Sequence, residues 1–297
     1  MLRLPALAAV VATLVAASAH AQTAGPSVAF TQNGTGGVWS VSPSGGTPTR
    51  LTSNGTLPAF SPNGAQIATV SGNSLYVGNV GSKLKRLTAR TTPQGYLDGG
   101  PAAWSPNGRQ LAYVSAGAVW VINAKPGSKP KQVWKSTGFL SVPAQAAWSP
   151  NGSTIYFIAI DQAMSTETSA FGLYQVPATG GSATQVPLAS AGSPQLWGSL
   201  TPYSLSMSPS GTTIAVTLGQ NGGAAGGYSA LAVGLVSLGG AGSTTALPGF
   251  SAAAFAPSGQ QLCAQDASGN LDVIDLSGNI DATLVSGTSP TACAWIS

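Results

Sequence analysis

The chain has 297 residues, of which 43% are hydrophobic and only 6% charged, with 39 Gly, 21 Pro, two Cys and one His. Val, Ile, Leu, Trp and Tyr recur at regular intervals and can bury apolar area, which excludes a disordered chain despite the abundance of small and turn-forming residues. Formal net charge is +4, and the lone His20 lies in a segment read below as removed, which excludes chemistry that needs an imidazole base or ligand.

At the N-terminus one cation, Arg3, precedes an apolar run from Leu4 to about Ala17, followed by Ala19-His20-Ala21 with small residues at the two positions a signal peptidase reads. This predicts a signal peptide over residues 1–21. The run is shorter than the roughly 20 apolar residues of a spanning helix, so no membrane span is expected. Gln22 stands where a lipoprotein would have Cys, so the expectation is a free periplasmic or secreted protein.

From Gln22 onward the chain repeats itself. An aromatic or Met residue opens the turns Phe60-Ser61-Pro62-Asn63-Gly64, Trp104-Ser105-Pro106-Asn107-Gly108, Trp148-Ser149-Pro150-Asn151-Gly152, Met207-Ser208-Pro209-Ser210-Gly211 and Phe255-Ala256-Pro257-Ser258-Gly259. Their prolines are 44, 44, 59 and 48 residues apart, the spacing of propeller blades. Pro presets φ at the first turn position and Gly supplies the positive φ that closes it, so each motif joins two strands. A β-rich run follows each turn, as in Ile67-Ala68-Thr69-Val70 and Leu111-Ala112-Tyr113-Val114, then a third, as in Leu75-Tyr76-Val77, and a fourth, as in Gln132-Val133-Trp134. Four strands per repeat make a blade.

The ends complete each other. Residues 28–30, 38–41 and 49–52 read as second, third and fourth strands without a first, while Ala292-Cys293-Ala294-Trp295 matches Ala102-Ala103-Trp104 and supplies it. The expectation is an all-β, six-bladed β-propeller of four-stranded blades over 22–297, closed by one blade that both termini share.

Taken together, aromatic-Ser-Pro-Asn-Gly, Ile-Ala-Tyr, Leu-Tyr-Val and Arg-Leu-Thr resemble the blade repeat of TolB-type propellers over essentially the whole mature chain. That resemblance implies a binding or scaffolding module of the cell envelope. TolB carries an additional N-terminal α/β domain, for which a first blade that begins within about ten residues of Ala21 is expected to leave no room. Propeller peptidases with similar repeats carry a hydrolase domain after the propeller, and no such activity is implied. The Asp common in the family's turn is Asn or Ser here.

Residues for catalysis are scarce. Glu167 is the only glutamate, and Asp272 and Asp275, three apart on a strand, point to opposite faces and read as surface residues. Ser82-Lys83-Leu84-Lys85 and Ser128-Lys129-Pro130-Lys131 have Ser-x-x-Lys spacing but lie in loops entering strands, where the helix that motif needs is missing. Asn33-Gly34-Thr35, Asn54-Gly55-Thr56 and Asn151-Gly152-Ser153 match a glycosylation acceptor and read as turns. No catalytic residue, metal site or cofactor is assigned. Cys263 and Cys293 form a candidate disulfide in an oxidising compartment. They fall on inner strands of neighbouring blades, whose sheets stack about 10 Å apart, near or beyond the reach of a disulfide.

Charge is lopsided: ten cations and one acid lie between Gln22 and Lys135, six acids and no cation beyond. Blades 1 to 3 are therefore expected to favour an anionic partner, an envelope glycan or acidic protein rather than nucleic acid. Strand alternation puts the long loops on the face opposite the Ser-Pro turns, with Tyr96, Asp98, Phe139, Asp161, Trp197 and Tyr203 as binding candidates. The function read from these features is non-enzymatic binding or scaffolding by a monomer. A glycan-binding module is the alternative, and a hydrolase using Asp, Ser and Tyr with Ca²⁺ a second.

Overall fold

Each Ser-Pro turn is held by the same side chains. Ser61 Oγ donates to Asn63 Oδ1 (2.7 Å) and accepts from the Gln66 amide (2.9 Å), while Asn63 Oδ1 also accepts from the Ala65 amide (3.2 Å). Gly64, at φ 67°, closes the turn by donating its N–H to the Ser61 carbonyl. The Ser105 and Ser149 turns repeat these bonds, and Ser210 replaces the Asn in the Ser208 turn. The acceptor the turn requires is a side-chain oxygen two residues after the Ser, and neutral Asn supplies it.

The computed structural model describes residues 26–32, 35–72, 74–88, 100–136, 140–141, 145–161, 170–186, 201–221, 228–238 and 244–297, with backbone alone at 35, 140–141, 160–161, 170–171, 201–203, 219–221, 228–231 and 244. Six antiparallel sheets follow one another, and the described residues contain no helix.

Blade 1 has Pro290–Ile296 innermost, then Ser27–Gln32, Thr35–Val41 and Thr49–Thr52. Blade 2 runs outward through Thr56–Phe60, Gln66–Ser71, Ser74–Asn79 and Lys85–Arg86. Blade 3 comprises Ala103–Trp104, Gln110–Ser115, Ala118–Asn123 and Lys131–Lys135. In blade 4 the inner strand is split into Leu140–Ser141 and Ala146–Trp148, both paired with Thr154–Asp161, before Ala170–Pro177 and Thr184–Gln185. Blade 5 comprises Thr201–Met207, Thr213–Asn221, Tyr228–Ser237 and Thr244–Pro248, and blade 6 Phe250–Phe255, Gln261–Asp266, Leu271–Asp275 and Ile280–Val285.

The C-terminal strand pairs antiparallel with the first N-terminal one, Val28 opposite Trp295 and Phe30 opposite Cys293, so the shared blade closes the ring. A disulfide joins Cys293 to Cys263 on the second strand of blade 6, with Cα atoms 6.3 Å apart. The 10 Å expectation assumed sheets stacked in parallel. Propeller blades converge on an axis, and near that axis, where alanines such as Ala264, Ala292 and Ala294 leave room, neighbouring strands come closer.

Apolar packing lies between blades. Ala112, Val119 and Val121 of blade 3 cluster with Trp148, Ile155 and Phe157 of blade 4, and Ala215 and Val233 of blade 5 with Phe255, Leu262 and Ile274 of blade 6. Both faces of a middle strand are thus covered, whatever its residues. Asp272 shows the consequence. Expected at the surface, it is 0% exposed on the third strand of blade 6, between Ala264 and Thr283, and neither carboxylate oxygen has a hydrogen-bond partner. Burial pushes its carboxyl above the usual range, an effect that nearby Thr283 moderates and Asp266 adds to. Asp275, at the strand end, is held low by the Asn279 side chain and by backbone amides of its own turn. Burial also raises the Tyr113 phenol to about 12, so that ring acts as packing.

Candidate functional site

Inner strands of a propeller leave their free edges toward the axis, and here they enclose a cavity of about 1090 Å³. Small residues set its width: Ala59, Ala102, Ala253, Ala254, Ala292 and Ala294 line it. Phe60, Met207 and Phe255, which open three of the turns, and Trp295 at the matching place of blade 1 lie toward the Ser-Pro end. That end is narrowed by the turns themselves. A Cβ on Gly108, Gly152, Gly211 or Gly259 would meet the proline of the preceding turn at 3.7, 3.6, 2.8 and 3.4 Å, so the turns of blades 2 to 6 follow one another in contact on one face.

The opposite mouth is irregular. In blade 2, Leu57 and Pro58 occupy the space opposite Thr69 alone, and in blade 6 Ala252 and Ala253 do the same opposite Ala264. Register shifts occur at the same end of the inner strands of blades 1 and 5. Leu57 (φ 53°), Ala252 (φ 52°) and Ser289 (φ 45°) hold left-handed backbone there, which costs about 1–3 kcal/mol each for residues with a Cβ. Bulges of this kind leave a residue unpaired in the ladder and bend the strand.

The described rim of this mouth carries polar side chains held in hydrogen bonds. Gln145 Oε1 accepts from the Leu205 amide (2.8 Å), Thr31 and Thr291 hydroxyls share a 2.8 Å bond, and Ser251 Oγ donates to Gln265 Oε1 (3.1 Å). Asp266 is the only side-chain charge among the described lining residues. Its Oδ1 accepts from the amides of Ser268 and Asn270 and its Oδ2 from Asn270 Nδ2, all at 2.8 Å, so it caps a turn. The arrangement suits recognition by shape and neutral hydrogen bonds. Among the described residues no three His, Cys, Asp or Glu side chains gather into a metal-ligand set, and no helix is long and apolar enough to cross a membrane.

Of the binding candidates, Tyr96, Asp98, Phe139 and Trp197 lie outside the described residues, and Asp161 and Tyr203 are placed by backbone alone. Asp161 ends the second strand of blade 4 and Tyr203 lies in the inner strand of blade 5, both at the bulged mouth's end of their strands. Sequence reasoning missed the hydrogen-bonded side chains and the bulged strand starts that frame this mouth. Pro58 and Pro101, each near the start of an inner strand, were the available signal, since Pro cannot donate to a ladder and favours bulges.

No protein-family model matches the sequence, and no curated protein matches it either. Among solved structures the chain is similar to TolB from Acinetobacter baumannii, with 17% identity, 91% of this chain covered and a TM-score of 0.62. It spans 66% of that protein's length, just under two thirds. Weaker likenesses are a TolB candidate from Agrobacterium tumefaciens (13% identity, 89% of this chain, 91% of that one, TM-score 0.48) and a 6-phosphogluconolactonase candidate from Bacteroides uniformis (14%, 91% and 99%, TM-score 0.49). The fold is that of a TolB-like six-bladed propeller.

Proposed function

We propose that this chain is an exported, non-enzymatic binding or scaffolding module, and that it holds an extended segment of a partner protein in the mouth of its central channel, on the face away from the Ser-Pro turns. The cavity of about 1090 Å³ carries the reading: it combines an alanine-lined shaft, bulged strand starts and, among the described lining residues, hydroxyl and amide groups with one carboxylate, Asp266, already engaged. Extended peptides are recognised through main-chain hydrogen bonds to a sheet edge with small pockets for alternate side chains. Predicted export places the partner in the envelope, in line with the likeness to TolB.

The test replaces Ala267 at the rim by a photoreactive residue, crosslinks the tagged protein in its own envelope, and maps the adduct. An extended segment of one protein, lost when Thr291→Trp narrows the mouth, is the expected result. Adducts to glycan would favour the glycan-binding module, and an unchanged protein adduct in the Thr291→Trp variant would reject the channel mouth.

A further inference from the structure

We propose a second binding surface, on the Ser-Pro-turn face of blades 2 and 3, for an extended anionic polysaccharide. Summed by blade, the cations seemed to belong to blades 1 to 3; their positions in the strands narrow this. Arg50 of blade 1 is consumed internally: its guanidinium donates to the carbonyls of Gly36 (2.9 Å), Ser53 (3.1 Å) and Thr52 (3.2 Å) and lies 5.5 Å over the Trp39 ring. In blades 2 and 3 six of the described cations instead gather at one end of the strands, with Lys135 at the other. Arg109 follows Gly108 in the turn, and Lys125 and Lys129 lie between the third and outer strands. Lys131 opens the outer strand of blade 3, and Lys83 and Lys85 hold the corresponding places in blade 2.

All six are exposed, and none forms an ion pair among the described residues. Only Lys131 has a side-chain bond, from its Nζ to the Thr179 carbonyl of blade 4 (2.8 Å), which fixes it on this face. The contacts between successive turns show that blades 2 and 3 present these ends on the same side of the ring. The acids described on that side, Asp275 and Asp281, belong to blade 6, across the ring from blade 3. An uninterrupted arc of positive charge therefore spans two adjacent blades.

The arc is also preorganised. Lys125-Pro126-Gly127-Ser128 is a turn closed by the Ser128 amide on the Lys125 carbonyl, with Gly127 at φ 85°, and the Ala124 amide binds the Arg109 carbonyl. Rigid display of separate charges lowers the ordering cost of binding an extended polyanion. Nucleic acid is less suited, because single strands are gripped by exposed aromatic platforms. The one tryptophan of the blade 3 outer strand, Trp134, packs on Phe157 of blade 4 at 4.7 Å between ring centroids.

The probe is a short fluorescent dextran sulfate. Binding to the mature protein should weaken linearly in log–log form as salt rises, through counterion release. A Lys83→Gln, Lys125→Gln, Lys129→Gln variant should lose at least about tenfold in affinity. A charge-matched variant carrying Thr184→Glu, Gln185→Glu and Thr245→Glu on the outer strands of blades 4 and 5 should change by less than about threefold. Equal losses in both variants, or no binding by the unmodified protein, would overturn the proposal. So would tighter binding of single-stranded DNA of equal charge. The channel-mouth reading is untouched by any of these outcomes, since none of the altered residues lines the cavity.

Discussion

The indole N–H of Trp104 in blade 3 donates to the carbonyl of Ala59 in blade 2, 3.0 Å away, and the bond recurs between Trp148 and Ala103 and between Trp295 and Ala254. A tryptophan at this place of an inner strand is therefore a clasp to the preceding blade. Where Met207 or Phe255 occupies the position, other groups cross the boundary: the Leu205 amide reaches Gln145 Oε1, and the Phe255 amide reaches Ser206 Oγ (3.0 Å).

Replacing Trp148 by Phe keeps most of the apolar burial and removes the bond, leaving the Ala103 carbonyl without it. A loss of about 0.5–1.5 kcal/mol is expected. Guanidinium denaturation monitored by circular dichroism measures it. No loss would mean that the indole nitrogen contributes only by packing.

The ring closure carries a covalent link besides its clasp. Breaking the Cys263–Cys293 bond with a double Cys→Ala change, or with reductant, should lower stability by about 2–4 kcal/mol, because the cross-link restricts the unfolded chain over a separation of 30 residues. The unreduced, denatured protein should show no reactive thiol. Two titratable thiols would refute the link.

Gly211 and Gly152 are both at positive φ, 73° and 70°, yet their surroundings differ. A methyl group on Gly152 would sit 3.6 Å from Pro106 Cδ, an ordinary contact, whereas on Gly211 it would sit 2.8 Å from Pro150 Cδ. Gly152→Ala should cost about 1–2 kcal/mol for the left-handed backbone alone. Gly211→Ala should cost roughly 1 kcal/mol more, since the Pro150 ring must shift. Equal melting temperatures for the two variants would show that the contact between turns yields freely.

Much of this architecture was legible because the features that encode it are local. Pro62 and Gly64 state their own backbone angles, and a repeat that begins with Val28-Ala29-Phe30 as a second strand requires a first strand from elsewhere, which Ala292 to Trp295 supplies. The site was less legible because tertiary packing decides it. Which end of its blade Lys125 occupies depends on topology, and charge totals by blade grouped it with Arg50, whose charge is spent on backbone carbonyls. The bulge at Ala252 has no such local mark as Pro58 gives the one beside Leu57 and depends on the register a partner strand sets, and the distance between Cys263 and Cys293 depends on blades converging on an axis.

Asp272 was misjudged for the same reason, and it yields a pH dependence. Its carboxyl titrates above the ordinary value because burial disfavours the charged form, so the folded state binds this proton more tightly than the unfolded chain does. Stability from this group is therefore fully present below the unfolded carboxylate value of about 3.9 and is lost as pH rises through the raised folded value. Once ionised, the side chain is a liability. Asp272→Asn removes the charge at nearly constant shape and should stabilise the protein by about 1–3 kcal/mol at pH 7. That advantage should shrink toward zero as pH falls to about 4, because the parent protein then carries a neutral Asp as well. Paired denaturation curves of parent and variant between pH 4 and 8 test both parts. A difference that stays constant across the range, or that grows toward low pH, would show that Asp272 is ionised without penalty and that the space between blades 5 and 6 is not the apolar environment its neighbours Leu262 and Ile274 imply.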